Sequence, residues 1–132
     1  MDCSNNTCSS CISDILKRIL LLQRQESDCD NYSGCDKPFL GPIIPTTCYN
    51  TRPILLYNCS TGNPWSFDVT LDDGTIVNSN ILRIESIDGC CCTCRILNST
   101  ETGYTNTNNF VTIDLKCCGA CRCLNDVFVD LC

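Results

Sequence analysis

Sixteen of the 132 residues are cysteine, and their spacing decides which thiol chemistry is open to the chain. The densest run is CCCTC, from Cys90 to Cys94, inside a stretch with the apolar pattern of a strand. Successive strand side chains point to opposite faces. Cys90, Cys92 and Cys94 are therefore expected on one face and Cys91 on the other. Adjacent strand cysteines bond each other only by distorting the backbone. The same holds for Cys117 and Cys118. A thiol facing away from its own domain needs a partner elsewhere.

Metal chemistry has two footholds. Cys8/Cys11 and Cys118/Cys121 have C-x-x-C spacing and could supply a tetrahedral Cys₄ zinc site. Against it, the chain has no His, the two pairs are far apart, and one such site leaves most cysteines unused. A zinc-binding, Cys-rich interaction module is the runner-up, and no cofactor is expected. A metallothionein-like cluster does not suit a chain with this many large apolar residues. CCGACRC follows a strand, but no βαβ alternation precedes it, as a thioredoxin-like site requires. Without His there is no ordinary triad. G-x-S-x-G, P-loop and dinucleotide fingerprints are absent too. No enzyme is expected. Asp72, Asp73, Glu85, Asp88 and Asp114 read as solvated carboxylates at turns or on exposed strand faces.

A net charge of −6 and a pI near 4.3 exclude the electrostatics of nucleic-acid or anionic-lipid binding. The basic residues form no patch. The start, MDCSNNTCSS, has no basic n-region, and ISDILKRILLL is too short and too charged to cross a bilayer. The cysteine load suits an oxidising compartment while the N-terminus suits the cytosol, where thiols stay reduced. With 43% apolar residues the chain can build a core without staples. Its thiols exceed what folding needs.

Residues 1–10 are expected to be a flexible, cysteine-bearing arm, and 11–132 a single domain. Ser9 or Ser10 can cap a helix over 11–25, where Ile12, Ile15, Leu16, Ile19, Leu20 and Leu22 recur at helical spacing. Residues 26–50 read as a proline-rich loop. Strands are expected at PILLYNC, WSFDVTL, ILRIESI, CCCTCRIL, FVTIDLKC and within CCGACRCLNDVFVDLC, with turns at DDGT and Asp88–Gly89. NSTETGYTNTNN (98–109) reads as a polar loop. The fold class expected is mainly β: an antiparallel sandwich or barrel of about six to eight strands, disulfide-rich, with one N-terminal amphipathic helix.

Cys29, Cys35, Cys48, Cys59, Cys90, Cys92, Cys94, Cys117, Cys118, Cys121 and Cys123 are candidates for disulfides within the domain. Cys3, Cys8, Cys11 and Cys132, near the ends, and Cys91, on the opposite strand face, are candidates for bonds between copies. The even count also permits eight internal bridges in a monomer.

Five stretches carry a family resemblance: GCDKPFLG (34–41), NTRPILLY (50–57), ILRIESIDGC (81–90), CRIL (94–97) and FVTIDLKCCGACRCLNDV (110–127). In this order they resemble the CotY/CotZ spore-coat proteins, including the ExsY-like exosporium proteins. The resemblance implies a structural protein of the outer spore layers, coat or exosporium. It would be made in the mother-cell cytoplasm without a signal peptide. It would assemble with itself into a disulfide-stabilised two-dimensional lattice alongside other spore-coat proteins; closed cyclic symmetry is the ordinary outcome for such subunits, extended by a second, heterologous contact. The chain looks shorter in the middle and richer in thiol than the family pattern.

Overall fold

The computed structural model describes residues 11–24 and 49–131. The expected arm at 1–10 and most of the expected loop at 26–50 lie outside them. One helix, α1 (Cys11–Arg24), precedes seven strands. These are β1 (Ile54–Asn58), β2 (Phe67–Thr70), β3 (Ile76–Ser79), β4 (Ile81–Asp88), β5 (Cys91–Thr100), β6 (Gly103–Asp114) and β7 (Cys118–Cys123). Five form one antiparallel sheet in the order β6-β5-β4-β1-β7, and β2 and β3 form a second. The mainly β, sandwich-like class is as expected; the large sheet does not close into a barrel.

Helix α1 carries Asp14 in its first turn and Arg24 in its last, each complementing the helix dipole. Leu16, Ile19 and Leu20 are buried on the sheet, each contributing roughly 2 kcal/mol by removal from water. Ile15 and Leu22, expected on that stripe, are exposed instead. Ser13 takes a place on the buried face, so the stripe is narrower than hydrophobicity alone suggests. Gln23 fastens the helix end, donating to the Ile84 carbonyl and accepting from the Arg52 amide.

The inner face of the large sheet holds Ile54, Leu56, Leu82, Ile84, Cys92, Cys94, Ile96 and Ile113, joined in one core with Leu16 and Ile19. Trp65, Phe67 and Val77 of the small sheet's region pack against it. Asp73 holds the β2–β3 turn by accepting from the Thr75 amide, and Gly74 has φ +87°, which favours glycine.

Two expectations need correction. The 98–109 stretch is not a loop: β5 runs to Thr100 and β6 starts at Gly103, pairing Asn98 with Thr105 and Ser99 with Tyr104. Its polar side chains satisfy one another, as where Asn106 donates to Asn108, and only Thr107 among them is buried, donating to the Ile96 carbonyl. Glu85 is not a solvated carboxylate. It bridges Arg83 and Arg95 on the outer face, with Arg95 Nε 2.6 Å away. Arg83 is 7% exposed. It also donates to Thr51 Oγ1 and the Asn50 carbonyl, and burial lowers its pKa. The C-terminal segment covers this network: Asn50 Nδ2 donates to the Val129 carbonyl at 2.8 Å, and the Val129 amide returns the bond at 2.9 Å.

Candidate functional site: the thiols of β5 and β7

Two β-bulges decide where the cysteines face. On β4, Ile84 pairs with Cys94 while Ser86 pairs with Thr93, making Glu85 the extra residue. The slip keeps Ile84 and Ile87 opposite Cys94 and Cys92. On β7, Ala120 pairs with Tyr57 and Cys118 with Asn58, making Gly119 the extra residue. A Cβ at Gly119 would stand 3.2 Å from the Cys59 backbone, a tight approach that a side chain would open by a few tenths of an ångström. The bulge swings Cys118 onto the face of Cys121, and both pack against the core that contains Cys92 and Cys94.

The alternation expected of the CCCTC run holds for Cys91, Cys92 and Cys94. Cys92 and Cys94 are fully buried while Cys91 is only half-buried. Cys90 is buried but belongs to the Gly89–Cys90 turn, where Gly89 has φ +59° and the Cys90 carbonyl accepts from the Leu115 amide. Cys90 and Cys91 are each disulfide-bonded and so do not count among the free thiols. Cys91, expected to reach a neighbouring copy, thus already has a bond.

Eight thiols are free among the described residues: Cys11, Cys59, Cys92, Cys94, Cys117, Cys118, Cys121 and Cys123. The Sγ atoms of Cys92 and Cys94 are 3.5 Å apart, a thiol–thiol hydrogen bond. That bond and then burial raise the Cys94 pKa far above the ordinary thiol range. Burial also raises Cys118 and pushes Cys121 up to about 12, with Cys123, Cys118 and Cys92 adding to the latter. These inner thiols are proton-bound at neutral pH. Cys11 at the start of α1, Cys59 after β1 and Cys123 at the end of β7 are exposed; Cys117 is half-buried. Cys3, Cys8, Cys29, Cys35, Cys48 and Cys132 lie outside the described residues.

Of the two C-x-x-C pairs, Cys118/Cys121 sits on β7, whereas Cys8/Cys11 extends beyond the described residues. Among the described residues, no three His, Cys, Asp or Glu side chains stand together as a metal site. Sequence reasoning read Cys118 and Cys121 as a C-x-x-C pair and as candidates for disulfides within the domain. Their shared inner face with Cys92 and Cys94 depends on a bulge, for which Gly119 beside a strand cysteine is the only local signal.

The family model described as Spore coat protein Z matches residues 1–109. No curated protein and no solved structure matches the chain. The matched stretch takes in α1 and most of the sheet but ends within β6, before β7.

Proposed function

Because the chain belongs to the Spore coat protein Z family, we propose that it is a subunit of the outer spore layer that self-assembles into ordered arrays, locked by disulfides between copies. The structural role in the coat follows from the family, and placement at the spore surface goes with it. The self-assembly is supported by one observation above all: the fold buries Cys92 and Cys94 while leaving Cys11, Cys59 and Cys123 exposed as free thiols. A chain that used its cysteines only to staple itself would have little reason to hold them in water.

Association precedes locking. Ile15, Leu21 and Leu22 are exposed on α1, and β6 pairs only with β5 among the described residues. Such a free edge can take a strand from a neighbour. Closed cyclic rings joined by a second, heterologous contact would give a lattice. Cys11, with Cys3, Cys8 and Cys132 at the ends of the chain, would carry the bonds between copies; arm and domain divide at about residue 10. Coat or exosporium, other coat proteins are the expected neighbours.

The test is electrophoresis of oxidised protein with and without reductant, together with negative-stain microscopy. A ladder that collapses on reduction, alongside ordered particles, is expected. Oxidised protein that stays a soluble single subunit overturns the proposal. Stoichiometric zinc in reduced protein, with loss of fold on chelation, would favour an interaction module instead.

A further inference from the structure

We propose that Cys121 and Cys123 form a thiol–disulfide exchange site at the edge of the large sheet, in which Cys123 takes up a low-molecular-weight disulfide and Cys121 resolves it. Strand β7 pairs only with β1 among the described residues, so its outer edge is open. Cys121 pairs with Leu56 and Cys123 with Ile54, which places both thiols on the inner face, two residues apart. Cys123 is exposed and Cys121 is half-buried behind it. Arg52 stands at this end of β7, since Ile54 pairs with Cys123 and the Leu124 amide donates to the Pro53 carbonyl. Asp126 holds Arg52 there through bonds of 2.7 and 2.9 Å. An accessible thiol beside a cation is the usual setting of a reactive cysteine.

The chemistry balances in two displacements. The Cys123 thiolate attacks one sulfur of the incoming disulfide and forms a mixed disulfide. The first small thiolate leaves and takes up a proton equivalent to the one Cys123 released. Cys121, held as a thiol until then, gives up its proton as its sulfur attacks the Cys123 sulfur and forms the Cys121–Cys123 bond; the second small thiolate leaves and takes up that proton. Two protein thiols are oxidised and one small disulfide is reduced to two thiols. Two strand residues span about 6.6–6.8 Å, the upper end of the Cα separation a disulfide accepts. A bridge near that limit is readily passed on to another thiol, which suits exchange better than stapling.

Cys92 and Cys94 provide the comparison. They have the same spacing, with sulfurs 3.5 Å apart, but both are fully buried. A small disulfide reaches Cys123 and does not reach them.

Reduced full-length protein would be exposed to oxidised glutathione at pH 8, quenched with acid, and mapped by mass spectrometry. A Cys121–Cys123 bridge is expected as the main product there, with only a transient glutathione adduct on Cys123 and with Cys92 and Cys94 unmodified. In C121S the Cys123 adduct should accumulate at least tenfold. In R52Q the adduct should form several-fold more slowly, with Cys59 as the reference thiol in each sample. Should C121S lose its fold, seen as modification of Cys92 and Cys94, C121V carries the same test. A Cys123 adduct equally persistent in wild type and in the folded Cys121 variant overturns the proposal. Nothing in this measurement depends on cross-linking between copies, so either idea can fail without the other.

Discussion

Burial sets the acidity of the inner thiols, and that links them to stability. Cys94, Cys118 and Cys121 all hold their protons more tightly in the fold than in water. Between an ordinary thiol pKa of about 8.5 and the raised folded values, the native state binds more protons than the unfolded chain. Stability then falls as pH rises. The contribution is complete below about pH 8 and drains away above it. Urea midpoints in a phosphine reductant are expected to drop steadily from pH 8 to pH 10.5, with a shallower slope in C94V. An unchanged midpoint over that range would contradict the burial account. On the outer face, Glu85 neutralises two guanidinium groups, one of them nearly sealed from water. Replacing it with Ala leaves Arg83 charged and unpaired, at a cost of about 3 kcal/mol. Chemical denaturation of E85A beside an E85A/R83M pair would show it, since the second substitution should recover most of the loss.

Among the elements, α1 depends on few contacts. Leu16 is fully buried under the helix, and Leu16→Ala should cost about 3 kcal/mol as a cavity opens between α1 and the sheet. Thermal unfolding of L16A measures it. The Asp73–Gly74 turn gives a smaller figure: Gly74→Ala, forced into a positive φ, should cost about 1 kcal/mol. Both features are legible in the sequence, because helical periodicity and an Asp-Gly turn are local signals. The alternation of Phe67 and Val69 announces β2 equally well, since one face is buried and the other wet. The tip of the β5–β6 hairpin is silent for the opposite reason. Thr100, Thr105 and Asn108 are exposed on both faces, and a strand with no buried side has no period-2 hydrophobic pattern to show. The thiol cluster is half legible. Alternation places Cys92 with Cys94, but only the extra residue at Gly119 brings Cys118 round to Cys121, and bulges leave almost no trace in composition. Glu85 is misread alone because its partners, Arg83 and Arg95, are recognisable only once β4 and β5 are in register.

For the whole molecule, charge and apolar exposure pull in opposite directions. No helix among the described residues is long and apolar enough to cross a membrane. Copies carrying a net charge of −6 repel one another, yet Leu21, Phe110 and Phe128 stand exposed. Screening should tip that balance: arrays are expected to form faster at about 150 mM salt than at about 10 mM, where the repulsion reaches further. Light scattering of reduced protein checks this before any disulfide forms. The connection from β6 to β7 has a different consequence, for the order in which the chain takes shape. Strands β4, β5 and β6 follow one another through tight turns, whereas β7 must cross to the far edge and find Ile54, from which most of the strand-bearing sequence separates it. Near neighbours close first, and distant pairings wait for them. Pulse-labelled hydrogen exchange should find the amides of β4 to β6 protected ahead of those in β7. For that interval a newly made chain carries its last cysteines in open water, next to a sheet that is already built.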